Sequence, residues 1–247
     1  MTTPPPELAP VKALVFDIIG TTTDWFTYVH AAVKAVDSTV DAEELVKAWR
    51  KGFAQRTRAS TAAGTFVEMY ATYGEVLDDL CRERGLEWAE DVKRDLVKSW
   101  GRMKAWDDTA HGLELLRSKY VVCGLSNGRA SMMIDVHKKN NMTFDLLLTS
   151  DVIHAYKPAP KMYQAALSAL NLQPGEVAMV AAHAYDLRAA REHGFRTIYV
   201  ARDSELALEP PEELEKRTRD FDLYVKGGLI HLARALGIED DEAELRD

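Results

Sequence analysis

Basic residues are in the minority: 31 Lys and Arg stand against 39 Asp and Glu, a formal net charge of −8. Nucleic-acid binding draws its affinity from a basic surface meeting phosphates, so that class is excluded. A small anionic substrate is not, because a few cations inside a cleft outweigh a diffuse acidic surface. Cysteine is almost absent. The two present, Cys81 and Cys123, make no disulfide framework, and Cys123 sits in an apolar run where a small buried thiol is the ordinary occupant. No apolar stretch approaches the roughly 18 residues that span a membrane. The opening Met1-Thr2-Thr3-Pro4-Pro5-Pro6 lacks the basic and apolar regions of a signal peptide and reads as a disordered lead-in, so a cytoplasmic protein is expected. Paired His or Cys spacing is missing too, which removes a zinc-type cluster. What is there is ordinary for a globular chain: 247 residues, 47% apolar and 28% charged, enough to bury a sizeable core.

Lys12 to Asp17 is a short apolar run ending in an acid and followed by Gly20, the pattern of a buried parallel strand entering a functional loop. From about Asp24 to Trp106 the pattern changes to helix periods with no convincing strand, and Asp41 before Glu43 and Glu44 suits an N-cap. Strand and helix then alternate. Strands are expected at 120–125, 146–150, 177–181, 196–200 and 223–225, and helices at 111–119, 130–139, 161–170, 186–193 and 229–236. Such alternation predicts an α/β fold, a Rossmann-like doubly wound parallel sheet, with ligands at the carboxyl ends of its strands. Residues 1–23 and 107–247 form the expected core. Residues 24–106 form a helical cap inserted after the first strand, able to close over the site and exclude water. The acidic stretch from Glu239 to Asp247 reads as a solvated end.

Four strand ends carry polar residues. Asp17 can attack carbon or phosphorus if its charge is held and aimed, and Thr21 can donate a hydrogen bond to it. Leu125-Ser126-Asn127-Gly128 offers a hydroxyl and backbone N–H groups for an anion at a helix start. Tyr156-Lys157-Pro158 follows the third strand, and Ala181-Ala182-His183-Ala184-Tyr185-Asp186 closes the fourth. Taken singly, each reads as readily as a cap or a solvated side chain.

In their order, these residues resemble the haloacid dehalogenase superfamily, whose motifs run Asp nucleophile, Ser or Thr, Lys, final acid. The resemblance covers nearly the whole chain, including the place of the helical insertion. Its phosphatases carry a second Asp two residues after the nucleophile and a pair of acids in the last motif for Mg²⁺. Here the first position is Ile19, and the last motif keeps only Asp186. Both differences lead toward the L-2-haloacid dehalogenase (type II) branch and a reaction without a metal or other cofactor. Halide leaves without a proton, and attack on carbon needs only an aligned carboxylate and a clamp for the substrate carboxylate.

By that resemblance, Asp17 displaces halide from a short 2-haloalkanoic acid and forms an ester that water hydrolyses to a 2-hydroxy acid. Lys157 keeps Asp17 ionised, Thr21 hydrogen-bonds it, and Asp186 positions Lys157 or the hydrolytic water. Ser126 and the Asn127 N–H hold the substrate carboxylate, and Tyr163 matches a tyrosine of the family's site. Arg50 in the cap receives halide, although Arg50, Arg56 and Arg58 read equally as a solvated helix face. Phe66 is a pocket wall or a core aromatic. Bacterial members usually have Tyr at position 19, and Ser and Asn at positions 181 and 183, where this chain has Ile19, Ala181 and His183. His183 is a substitute donor, a sign of altered substrate range or a satisfied core residue. The resemblance also implies a possible homodimer. The alternatives are a Mg-dependent phosphatase or phosphonatase of the same superfamily, and a catalytically retired member acting as a binding protein.

Overall fold

The computed structural model describes residues 4–206 and 219–240. Six strands form one parallel sheet: β1 (Ala13–Phe16), β4 (Val121–Ser126), β5 (Leu146–Thr149), β6 (Val177–Ala181), β7 (Arg196–Ala201) and β8 (Leu223–Lys226). Their order is β5-β4-β1-β6-β7-β8, and β1 pairs in parallel with both β4 and β6. The chain therefore reverses its direction of winding on either side of β1, and the crevice at the carboxyl end of β1 is the switch point where such sheets bind ligands.

Successive side chains of a strand point to opposite faces, and here both faces are covered. Leu14, Phe16, Val122, Ala178, Val180, Ile198 and Val200 enter one core cluster. Ala13, Val15, Cys123, Leu125, Val177, Met179 and Tyr199 enter the other. All four residues of β1 are buried, which explains a strand that reads as a continuous apolar run. The covering helices are α5 (Thr109–Arg117), α6 (Ala130–Lys139), α7 (Ser150–Ile153), α8 (Pro160–Leu170), α9 (Ala184–Glu192), α10 (Asp203–Leu206) and α11 (Leu229–Ala235).

Between β1 and α5 lies the inserted helical region: α1 (Trp25–Val36), α2 (Ala42–Ala62), α3 (Met69–Arg84) and α4 (Glu90–Ser99). Asp41 caps α2 by accepting the Glu44 N–H at 3.0 Å, and Asp24 caps α1 by accepting the Thr27 N–H at 3.0 Å. The expectation of no strand near this segment needs correction. Thr23–Asp24 (β2) and Lys104–Ala105 (β3) pair antiparallel where the chain leaves the sheet and returns. Two-residue strands carry no periodicity for a sequence to display.

The ends also differ from the reading above. Residues 1–3 and 241–247 lie outside the described residues, but Pro6–Leu8 form a helical turn that buries Leu8. Asp240 is not simply solvated: its carboxylate meets His111 Nε2 at 2.9 Å and Arg234 at 3.3 Å. Among the described residues no helix is long and apolar enough to cross a membrane. Both cysteines are buried and free.

Candidate active site

β1 ends at Phe16, and the Asp17 N–H continues its pairing by donating to the Val180 carbonyl at 2.9 Å. The next residues turn sharply. Gly20 has a φ of +96°, and a Cβ there would lie 2.6 Å from Glu205 Oε1, so both conformation and space demand glycine. The turn brings Thr21 back under the Asp17 carboxylate, its Oγ1 donating to Oδ2 at 2.8 Å. The Thr21 oxygen accepts the Ala182 N–H at 2.9 Å, and its carbonyl accepts Arg202 Nε at 2.9 Å.

Lys157 comes from the loop before α8. Its Nζ donates to Asp17 Oδ1 and to Asp186 Oδ2, each at 2.7 Å, and the residue is only 4% exposed. Asn127 fixes this loop through its side chain: Oδ1 accepts the Lys157 N–H at 2.6 Å, and Nδ2 donates to the Lys157 carbonyl at 3.2 Å. Asp186 is fully buried and receives the Tyr163 hydroxyl on Oδ1 at 2.6 Å. Burial pushes the Asp17 carboxyl up, but the Lys157 ammonium and the His183 contact outweigh it and hold Asp17 well below the usual carboxylate range. Asp186 moves the other way, because its burial outweighs Lys157. Asp17 is thus the more acidic of the two carboxyls.

His183, at the N-cap of α9, bridges two carboxylates. Nδ1 lies 2.9 Å from Asp17 Oδ2, and Nε2 lies 2.9 Å from Glu205 Oε2. Glu205 belongs to α10, is buried, and also receives the indole N–H of Trp25. Burial pushes the imidazole down, yet the Tyr185 phenol and the carboxylates of Asp17 and Glu205 hold it well above its ordinary value. His183 is therefore an imidazolium donating to both neighbours. Glu205 was missed by sequence reasoning.

A cavity of about 70 Å³ opens onto Asp17, with room for only a few water-sized groups. The core lines it with Asp17, Ile19, Asn127, Lys157 and Tyr185, and the helical region with Arg50, Phe53, Ala54, Thr57, Arg58 and Tyr73. Positions 50, 53, 54, 57 and 58 follow helical spacing along α2, a facial pattern that the sequence carried and the reading above did not use. Arg50 lies in the cavity with its Nη2 3.4 Å from His183 Nε2 and its guanidinium over the Trp25 ring at 4.3 Å. The Trp25 ring stacks on Trp100, which also meets Trp49 and Tyr73, so Arg50 stands on a rigid aromatic base. Arg56 instead pairs with Glu75 and Asp79 on the outer side.

Three predicted site residues lie elsewhere. Tyr163 is completely buried behind Asp186, a support for that carboxylate and not part of the cavity wall. Phe66 stacks on Tyr156 at 5.1 Å and does not line the cavity. Ser126 is buried as well, its Oγ accepting the Gly128 N–H at 3.0 Å. The helix start expected beside it begins only at Ala130, whose N–H is taken by Asp151 Oδ1 at 2.9 Å.

A parallel α/β sheet that presents an ionised, immobilised carboxylate at its switch point, beneath inserted helices, defines a class of hydrolases able to work through a covalent aspartyl intermediate. The sequence pattern of the haloacid dehalogenase-like hydrolases matches residues 11–194, and the chain belongs to that family, in its L-2-haloacid dehalogenase branch. It is 32% identical over 207 residues to (S)-2-haloacid dehalogenase 4A of Burkholderia cepacia, spanning 82% of this chain and 86% of that one. A solved L-2-haloacid dehalogenase superposes with a TM-score of 0.82 at 30% identity, covering 92% of this chain and 99% of the other. A defluorinating L-2-haloacid dehalogenase gives 0.82 at 29% identity, over 96% and 100%.

Proposed function

We propose that the protein is a hydrolytic dehalogenase of short 2-haloalkanoic acids, the (S) enantiomer first among them, with residues 24–106 as its cap. The observation that carries this reading is the Lys157 ammonium bridging Asp17 and Asp186 at 2.7 Å each. It leaves Asp17 ionised, aimed and poor in solvent, the state a carboxylate needs to displace a leaving group from carbon. Ile19 beside it supplies no proton, and halide requires none. The relatives' substrates support the same chemistry, because their names specify (S)-2-haloacids.

Roles follow from position. Asp17 attacks the α-carbon, Lys157 holds its charge, and Asp186 with Tyr163 holds Lys157. Arg50 receives the halide on the cap side, while Asn127 and its backbone N–H meet the substrate carboxylate next to Ser126. Thr21 and His183 engage the second oxygen of Asp17. Ile19 in place of an aromatic wall, and Tyr185 at the opening, shape the cavity for a small chain. A homodimer, implied by the resemblance, belongs to the same reading, and light scattering on the purified protein tests it.

The test of function is halide release from chloro-, bromo- and fluoro-substituted acetates and (S)-propionates, with and without EDTA, beside a panel of phosphate monoesters. Halide release that EDTA leaves intact is expected, with none from an Asp17→Asn variant of unchanged fold. Turnover of phosphate monoesters without any halide release would refute the assignment.

A further inference from the structure

We propose that the Thr21 hydroxyl and the His183 N–H form the oxyanion-stabilising pair for hydrolysis of the Asp17 ester, with Glu205 as the residue that positions His183 and keeps it charged. The proposal rests on the haloacid reading above and concerns its second half-reaction.

The two oxygens of Asp17 are occupied unequally. Oδ2 meets Thr21 Oγ1 at 2.8 Å and His183 Nδ1 at 2.9 Å, whereas Oδ1 meets Lys157 Nζ at 2.7 Å. A carboxylate oxygen offers about two lone-pair sites. Both sites on Oδ2 are engaged, while Oδ1 has one left and opens the attack. The ester then forms through Oδ1, and Oδ2 becomes its carbonyl oxygen, already facing two donors. Their distances lie within the roughly 2.7–3.1 Å at which donors stabilise a developing oxyanion.

Each donor is held from behind. The Thr21 oxygen accepts the Ala182 N–H at 2.9 Å, which leaves its hydrogen for Oδ2. His183 gives its other N–H to Glu205 at 2.9 Å, and Glu205 is pinned by the Trp25 indole. The groups facing the ring are Asp17 beyond β1, Glu205 on α10, Tyr185 on α9 and Arg50 on α2. Arg50 opposes a positive imidazole; the two carboxylates and the phenol favour it.

In the first half-reaction an Oδ1 lone pair bonds to the α-carbon while halide departs with the carbon–halogen pair. In the second, a water oxygen bonds to Asp17 Cγ, and the C=Oδ2 π pair moves onto Oδ2. When that pair returns, the Cγ–Oδ1 bond breaks and Oδ1 leaves in the hydroxy acid. One water proton ends on that oxygen, and the other passes to solvent as Asp17 ionises again. Displacement drains charge from the carboxylate, whereas hydrolysis gathers it on Oδ2. The pair therefore assists the second step and not the first.

Single-turnover kinetics with a 2-haloacid, following halide and the mass of the alkylated enzyme together, separates the steps. In Thr21→Val and in His183→Ala, about one equivalent of halide per site should still be released. Ester breakdown should slow by about 100- to 1000-fold for the lost donor, so that alkylated Asp17 accumulates. Glu205→Gln keeps an acceptor for the ring but removes its charge. The alkaline limb of ester hydrolysis, where the imidazolium loses its proton, should then move to lower pH, which a merely structural role would not cause. Ester breakdown at the wild-type rate in both variants, or equal slowing of both steps, overturns the pair. An unmoved limb in Glu205→Gln overturns the part given to Glu205. If the wild type releases no halide from any 2-haloacid, the substrate reading itself has failed and the pair has no reaction to serve.

Discussion

Lys157 supplies the positive charge between two carboxylates that water barely reaches. Removing it while keeping bulk, as in Lys157→Met, leaves Asp17 and Asp186 buried without that cation, a loss of about 3–5 kcal/mol for a broken buried pair. The pH dependence should steepen as well. In the native protein Asp17 is held below the usual range, so its contribution is present above the unfolded value of about 4 and is lost as pH falls through the lower folded value. In Lys157→Met both carboxyls lose that cation and rise from their native positions, so the folded state binds more protons than the native protein does and its stability falls more steeply as pH rises. The urea midpoint should therefore drop further between about pH 5 and about pH 7.5 in Lys157→Met than in the native protein, where Asp17 adds no slope across that window. Asp17, Thr21, Lys157 and Asp186 were legible because each sits at or just beyond a strand end in an order that repeats a family pattern. Glu205 was not. It lies in Asp203-Ser204-Glu205, a polar run after β7 that reads as solvated, and only the tertiary approach of Trp25 and His183 gives its charge a purpose. Tyr163 was legible as a site residue, but spacing along α8 does not say that its hydroxyl ends on the Asp186 carboxylate.

At the level of elements, the strands and helices after Trp106 were readable because a parallel sheet buried on both faces forces apolar runs, and its covering helices force a helical stripe. β6 and α6 have the same limits in structure and sequence reading. What patterning could not carry is how closely elements approach. Gly112 in α5 packs against the start of α11: a Cβ there would lie 2.5 Å from Leu229 Cβ and 2.8 Å from the Leu229 carbonyl carbon. A backbone atom cannot swing aside as a flexible side chain can, so the helices must part. Gly112→Ala should destabilise by about 1–3 kcal/mol despite its better helix propensity. Calorimetry should find the melting temperature lowered by about 2–4 °C per kcal/mol for a domain of this size. Neither Gly112 nor Leu229 lines the cavity at Asp17, so KM should not move with it.

For the molecule as a whole, the charge balance and the cavity pull in opposite directions. A haloacid anion approaches a protein of formal charge −8, yet the cavity walls carry Arg50, Arg58 and Lys157. Lys157 is neutralised by its two carboxylates, and Arg50 faces Glu205 and Asp17. Arg58 is different: it is exposed at the opening, its guanidinium 5.7 Å from the Tyr185 ring centroid. This is the cation an arriving carboxylate meets before it reaches the buried pairs. Two unit charges at about 4 Å in water interact by about 1 kcal/mol, close to a fivefold effect on capture. Arg58→Gln should therefore raise KM about fivefold while leaving kcat within about twofold, because Arg58 touches neither Asp17 nor its partners. The difference should also fade with added salt, since an exposed charge is screened once the Debye length falls to about 3 Å near 1 M. Initial rates for both proteins across a salt series check this. A KM gap that persists at high salt would mean that Arg58 contacts the bound substrate and does not merely attract it.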